Sequence, residues 1–586
     1  MENIEIAEHL TELADLLEIS GANPFRVRAY RNAVRTLRGL TQPVTQMLKE
    51  GEDLTELQGI GDDLSDHIRE LVDTGGLELL EEVAREVPRE LAVLTKLDGV
   101  GPKKVKKLWE ELGVTTLDEL EEAAQSGKVE ALEGFGKKSV EKMLRSVADF
   151  RKRQGRFLRA SAVQYLRPLL AHLEDTPGLK RVEVAGSYRR GQETVGDIDL
   201  LAVVEGESAP AMEHFTSFSR VDRVEMSGAT RGSVVLASGL PVDLRIVPEE
   251  SCGAALHYFT GSKEHNVQIR QAARARDLRI SEYGVFRVDP EDEGGEEGEE
   301  GERIGGATET EIFESVGLPW IPPVLREGRG EIEAARDGTL PQLVESADIR
   351  GDLHMHSVWS DGRESIRRMA EACRDRGYEY LAITDHSQAV TVANGLTPER
   401  VRKQAEEVRA LRNELEGIHL FHGCEVDILQ DGTLDLPDDV LEELDLVLVA
   451  VHSHFHLERA AQTERVIRAL SHPMVDILVH PTGRLLTRRD PYDLEVEAVL
   501  EAAREHQVAV ELNANPLRLD LHDRHLFRAR ELGVPVSVAT DAHRLGELEY
   551  MEGGLIQAGR GWLERGDVLN TRSLDEMREW LGRREV

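Results

Sequence analysis

The sequence predicts a multi-domain protein: an all-α N-terminal region, an α+β middle portion and a C-terminal distorted β/α barrel. Three observations predict it. Short amphipathic stretches in the first quarter are separated by a recurring Gly-apolar-Gly element. Alternating segments such as Val182-Glu183-Val184-Ala185 and Val242-Asp243-Leu244-Arg245-Ile246-Val247 are interleaved with helical patterns further on. In the last two-fifths, apolar runs alternate with helical periodicity, and many of the runs end in histidine or an acid. At 586 residues the chain exceeds one domain, and a prior of about 150 residues each suggests three to five.

Composition narrows the class. Hydrophobic residues make up 40% and charged residues 31%, the profile of a globular chain with ample core. There is no run of about 18 apolar residues, and the start, MENIEIAEHL, has neither a basic nor an apolar leader region, so a cytoplasmic protein without membrane association is expected. Cys252, Cys373 and Cys424 form no CxxC pair, which excludes a disulfide scaffold and a cysteine zinc ribbon. Lys+Arg 72 against Asp+Glu 110 leaves a net charge of −38, which argues against a uniformly attractive surface for phosphate. Arginine outnumbers lysine and the acids are spread along the chain, as in proteins of a salt-rich, haloarchaeal cytoplasm. At about 1 M salt the screening length is only ~3 Å, so local contacts decide binding.

Residues 1–90 and 91–155 form the helical region. Leu57-Gln58-Gly59-Ile60-Gly61, Leu97-Asp98-Gly99-Val100-Gly101 and Leu132-Glu133-Gly134-Phe135-Gly136 each precede a helix-like segment. Paired glycines permit a tight turn at positive φ, and the free amides of the next helix can hold a phosphate without reading a base. Lysine, scarce elsewhere, gathers here as Lys103, Lys104, Lys106, Lys107, Lys137, Lys138 and Lys142. The three repeats resemble helix-hairpin-helix motifs, which implies DNA-backbone contacts at Gly59, Gly61, Gly99, Gly101, Lys103, Lys104, Gly134 and Gly136. Arg26, Arg28, Arg31, Arg35 and Arg38 make either a further basic face or a solvated helix surface.

The middle portion divides into residues 156–250 and 251–325. Asp197 and Asp199 leave the same face of a strand, and Asp243 lies on a second strand with Arg245 beside it. Three converging carboxylates suit two Mg²⁺ or Mn²⁺ ions. Gly186-Ser187 allows close backbone approach, and Arg189 and Arg190 can offset phosphate charge. The pattern Gly186-Ser187-x-Arg189-Arg190, Gly196-Asp197-x-Asp199 and a later Asp243 resembles the nucleotidyltransferase palm of family X DNA polymerases. Tyr258-Phe259-Thr260-Gly261-Ser262, then Asn266 and Arg270, is similar to that family's thumb. The resemblance implies that Tyr258 and Phe259 exclude a ribose 2′-OH, that Asn266 touches the base edge, that Arg270 borders the nascent pair, and that Gly261 shapes the turn. Asp289 to Gly306 is acidic and glycine-rich and reads as a disordered insertion, 289–306. Where some family members carry a Schiff-base lysine, His67 stands among Asp62, Asp63 and Asp66, so 5′-deoxyribose-phosphate lyase activity is not expected.

A proline-bearing connector and a linker, 326–349, lead to residues 350–586, which hold fourteen of the 20 histidines. His354, His356, Asp361, His386, Glu425, His452, His480, Asp541 and His543 follow apolar runs or adjoin those that do, and strand ends converge at one mouth of a β/α barrel. Nitrogen and carboxylate donors without thiolates suit Mn²⁺, Zn²⁺ or Fe²⁺. The series resembles the PHP domain, which implies up to three divalent metals and phosphoester hydrolysis. His454, His456, Glu511, Asn513 and Arg484 are either supporting groups or structural ones, and Cys424 packs behind Glu425.

Taken together the chain resembles bacterial and archaeal family X polymerases with a C-terminal PHP domain. That implies a monomeric enzyme acting on gapped or primed DNA and deoxynucleoside triphosphates, filling gaps in repair and trimming 3′ ends as a 3′-5′ exonuclease or phosphoesterase, with abasic-site cleavage a further extension. Two other readings are a histidinol-phosphatase-type small-molecule phosphatase fused to an inactive nucleotidyltransferase, and a non-catalytic DNA-binding scaffold.

Overall fold

A computed structural model describes residues 3–37, 44–57, 59–95, 97, 100–132, 134–153, 155–288 and 301–582. The chain divides into two units, Met1–Gln154 and Gly155–Val586.

The first unit is helical, as expected, and its apolar residues turn inward from helices such as Asn3–Ser20 and Pro24–Leu37 to bury Leu10, Leu13, Leu16 and Leu37. Its three glycine hairpins share the same backbone hydrogen bonds among the described residues. The amide of the central apolar residue donates to the leucine three before it, Ile60 to Leu57, Val100 to Leu97 and Phe135 to Leu132, at 3.0–3.1 Å. That apolar residue is buried each time, at 3% exposure or less, and anchors the turn to the core. Gly61, Gly101 and Gly136 then accept the first helical bonds from Ser65, Val105 and Val140. The positive φ expected of the turn falls on the first glycine, Gly59 at +80° and Gly134 at +90°, whereas Gly61 and Gly101 are extended caps at −95° and −71°. Gly99 lies outside the described residues.

In the second unit β1 (Phe157–Leu158) and β3 (Thr194–Val195) make a small antiparallel pair. A five-stranded sheet follows, built from β2 (Leu179–Val184), β4 (Ile198–Val204), β5 (Val221–Ser227), β6 (Arg231–Leu236) and β7 (Pro241–Ile246), in the order β2-β4-β7-β6-β5. Only β4 and β7 are parallel, and their register sets Asp199 directly opposite Asp243. Helices Cys252–Thr260 and Lys263–Arg274 lead to a three-stranded sheet of β8 (Leu278–Ser281), β9 (Gly284–Arg287) and β10 (Arg303–Gly305). β10 corrects the reading of 289–306 as one disordered stretch: 289–300 lie outside the described residues, but Arg303–Gly305 pairs with β9, and Gly306 and Ala307 amides both donate to Glu311.

The segment 326–349 is packed structure rather than a linker. Arg326 is fully buried, Glu331–Asp337 is a helix, and Ile332 and Ala335 join the core beneath helix Glu309–Ser315. The reason is charge pairing. Glu309 receives both terminal nitrogens of Arg189, at 2.8 and 2.7 Å, and Nη1 of Arg326 at 2.6 Å, while the Arg326 guanidinium lies over the Phe313 ring. Burial alone would raise the Glu309 carboxyl, but the two guanidiniums hold it well below the usual carboxylate range.

The C-terminal portion is a seven-stranded parallel sheet, β11 (Gly351–Asp352), β12 (Tyr380–Ile383), β13 (His419–Asp427), β14 (Leu446–Ala450), β15 (Ile477–Leu478), β16 (Ala509–Asn513) and β17 (Val536–Ala539), with neighbours in chain order. Just past the ends of β11 and β17, Met355 pairs with Ala542 and His356 donates to the Ala542 carbonyl at 2.8 Å, which brings the first and last strands together in the expected near-closed barrel. Every strand is buried on both sides, so their near-continuous Val, Leu, Ile and Ala runs follow.

Glu309→Ala is expected to lower the unfolding free energy by about 3–5 kcal/mol, the cost of leaving buried guanidiniums unpaired, read in urea unfolding. Because this carboxyl is depressed relative to an unfolded value of about 4.3, its contribution is complete above that pH and is lost on acidification; the variant's stability is correspondingly flatter across that acid range.

Candidate metal centres

The first centre lies at the parallel junction of β4 and β7. Asp199 is half-buried beneath Gly186, which has φ +64°; a Cβ there would sit 2.2 Å from the Asp199 carboxylate, so only glycine lets the loop close over the acid. Burial, then Asp197 and Asp243, push the Asp199 carboxyl up to about 6, and desolvation and Asp243 also raise Asp197. These are the electrostatics of acids that need cations between them, and the chemistry of the set fits Mg²⁺ or Mn²⁺.

The loop that follows is more heavily paired than its sequence suggests. Arg189 is committed to Glu309 and to Thr260 Oγ1 at 2.8 Å. Arg190 spends Nε on Glu327 at 3.0 Å and Nη1 on the Thr260 carbonyl at 2.6 Å, while Ser187 and Gly196 are half-buried. On the thumb side, Tyr258 is 37% exposed and meets Phe259 edge to face at 5.1 Å, and Arg245 stacks on Phe259 at 4.2 Å. Gly261 turns the chain at φ +68°. The Asn266 amide donates to the Tyr258 carbonyl at 2.7 Å and Arg270 Nε donates to the Asn266 carbonyl at 3.2 Å, linking the expected nucleotide-facing residues into one chain of contacts.

The second centre is at the carboxyl-end mouth of the barrel. Three groups of donors have all their ligand atoms within 4.8 Å of one another: His356, Asp361, His386 and His543; His354, His356 and Asp541; and His386, Glu425 and His452. His480 joins through Nε2, 2.8 Å from Glu425 Oε1. All nine expected donors therefore meet, and the shared residues His356 and His386 link the groups.

The local geometry calls for cations. Nε2 of His354 and of His356 face each other at 3.2 Å, and Nδ1 of His386 is 2.7 Å from Glu425 Oε2, yet neither of these latter atoms has a hydrogen-bonding partner. Buried polar atoms are rarely left so. Burial would raise Glu425, but His386, His452 and His354 hold it well below the usual range; burial together with His543 and His386 pushes His356 down to about 3, leaving it a neutral ligand. Nitrogen and oxygen donors with no thiol fit divalent Mn, Zn or Fe.

Orientation comes from acids behind the donors. Glu511 receives His354 Nδ1 at 2.6 Å and the His480 amide at 2.6 Å, and Asn513 donates to Asp541 at 3.1 Å. Asp427 accepts His452 Nδ1 at 3.2 Å. It escaped the sequence reading, although it lies two residues beyond Glu425 on the same face of β13. Arg484 does not face the centre; it pairs with Glu193 at 2.5 Å. Cys424 is buried behind Glu425.

In the helical unit, Lys103 is exposed beside Gly101, whereas Lys104 lies over the Phe135 ring and reaches Ser139. Arg31 is taken up by Asp15 and Glu18, and Arg38 lies outside the described residues. His67 is half-buried, with Nδ1 3.2 Å from the Tyr30 hydroxyl.

Known families match four stretches of the chain. Residues 1–77 match a helix-hairpin-helix domain, 90–149 a SAM-like helix-hairpin-helix tandem, 255–327 the DNA polymerase beta thumb and 352–515 the PHP domain. DNA polymerase lambda of Rattus norvegicus is 25% identical over 56% of this chain and 56% of its own length, and a probable phosphatase of Thermoanaerobacter sp. is 28% identical over 39% of this chain and 93% of its own. The DNA polymerase/3′-5′ exonuclease PolX of Bacillus subtilis is 42% identical over 587 residues, covering 100% of both chains. With hairpins, thumb and barrel in the same order and identity sustained from end to end, the chain belongs to the PolX family of DNA polymerases with a PHP domain.

Proposed function

We propose that the chain extends primer 3′ ends on gapped DNA at the β4–β7 carboxylates and shortens 3′ ends at the barrel mouth. The observation that carries this is the presence, in one polypeptide, of two separate sets of donors: carboxylates set opposite each other by the β4–β7 register, and imidazoles and carboxylates gathered at the barrel mouth. Bound at these sets, divalent cations would neutralise phosphate charge and lower the pKa of the attacking oxygen.

This chain's own residues do the rest. Asp197, Asp199 and Asp243 present their oxygens to one cleft. Tyr258 and Phe259 border it, where a ribose 2′-OH would collide with the turn. Asn266 and Arg270 face the base side. At the barrel, His354, His356, Asp361, His386, Glu425, His452, His480, Asp541 and His543 surround the scissile phosphate, with Glu511 and Asp427 fixing two imidazole orientations. First-turn amides after Gly61, Gly101 and Gly136 hold the DNA backbone, with Lys103 adding charge. Backbone amides suit a chain of net charge −38, because they attract phosphate locally whatever the surface total.

The decisive assay uses a 5′-labelled primer on gapped DNA with Mn²⁺ or Mg²⁺, with and without deoxynucleoside triphosphates. Asp243→Ala is expected to lower extension at least about 100-fold with trimming intact, and His354→Ala the reverse. Unchanged primer length under every condition would leave the phosphatase and scaffold readings. Asp427→Asn is expected to weaken metal retention and trimming about 10–100-fold while sparing extension, measured by metal content after dialysis alongside primer length. The acidic surface further predicts that extension persists near 1 M KCl; loss of activity with retained fold at that salt would refute the salt-adapted reading.

A further inference from the structure

The loop Gly186–Glu193 carries the glycine that closes over Asp199, and its far end is clamped by the barrel. Gly191, at φ +70°, lies so close to the barrel helix Tyr550–Arg560 that a Cβ would come within 2.4 Å of Ile556. Arg560, 2% exposed, donates from Nη1 to the Arg190 carbonyl at 2.7 Å and to Glu327 at 2.8 Å, and from Nη2 to Asp523 at 2.6 Å. The same Glu327 oxygen accepts Arg190 Nε at 3.0 Å and Gln192 Nε2 at 2.8 Å. Glu193, next in the loop, takes Arg484 at 2.5 Å and Gln557 at 2.6 Å, both from the barrel. Arg190 in turn holds the carbonyl of Thr260, the last residue of the helix Cys252–Thr260 that carries Tyr258 and Phe259.

We propose that Arg560 of the barrel is a positioning residue for the polymerase reaction: through Arg190 and Glu327 it sets the loop that closes over Asp199 and the turn that borders the nucleotide. The inference rests on the polymerase reading above. Without Arg560, Glu327 and Asp523 lose a buried partner, and the Arg190 carbonyl loses its donor, so the loop has no single resting position. A misplacement of about 1 Å at a reacting centre can cost 100-fold in rate, so a clamp remote from the metals can control extension. Arg560 contacts none of the nine barrel donors in any hydrogen bond or ion pair described, so trimming serves as a built-in control for folding.

The test uses the full chain with Arg560→Met and, as a milder change, Arg560→Lys, whose single ammonium can reach the Arg190 carbonyl but cannot span three acceptors. Gap filling is measured at varied deoxynucleoside triphosphate and at varied DNA, together with 3′ trimming and melting temperature. The expected result is a rise of about tenfold in KM for the triphosphate with Arg560→Met, a smaller rise with Arg560→Lys, and KM for DNA and trimming unchanged. Triphosphate KM within twofold of the parent overturns the proposal, and so does a parallel fall of extension and trimming with a lowered melting temperature, which marks Arg560 as structural cement. Failure of the unmodified chain to extend a primer would instead overturn the polymerase reading on which this rests.

Discussion

Electrostatic crowding is the constraint around which both centres are built. Asp199 and Asp243 are forced opposite each other by the register of two parallel strands, and six imidazoles and three of the barrel's acids are forced together by strands that all end on one side. Both arrangements leave bare charges and lone pairs facing one another: the palm acid is pushed toward protonation, and atoms at the barrel mouth face one another without hydrogen bonds. Divalent cations bound between the donors would resolve both conflicts, and the rest of the fold serves to hold the donors against their mutual repulsion.

That holding is done largely by buried acids paired with arginine or histidine. Glu309 ties the loop beside the palm carboxylates to the thumb, Glu327 ties it to the barrel, and Glu511 and Asp427 set the orientation of His354 and His452. Each acid accepts two or more donors, so its desolvation is offset by several charge-assisted bonds. A hydrophobic interface could join the same elements, but it would not fix the rotation of an imidazole or the height of a loop to a few tenths of an ångström.

The helical unit works by a different economy. Its three hairpins repeat one backbone pattern, leucine carbonyl to apolar amide and then glycine carbonyl to the first helical amide, and the buried Ile60, Val100 or Phe135 pins each turn. Free first-turn amides are thereby presented without dependence on net charge, which reconciles a chain of −38 with a proposed polyanionic partner.

Much of this was legible along the chain, because the signals are local. Glycine pairs specify turns, strand-end histidines and acids specify donors, and alternation specifies which face they share; all nine barrel donors and the three palm aspartates could be named before any contact was known. What remained hidden depends on partners distant in sequence. Arg189 and Arg190 look like free phosphate ligands until Glu309 and Glu327, more than a hundred residues away, are seen to occupy them. The segment 326–349 has a linker's composition, yet Arg326 is buried because its counterion is Glu309, and Arg303–Gly305 is a strand only because β9 lies beside it. Arg484 and Arg560 meet the palm loop solely because the barrel is folded back upon it. Residue type and spacing decide which chemistry a segment can offer; pairing across long loops is decided by packing, since no local propensity encodes a counterion that far off.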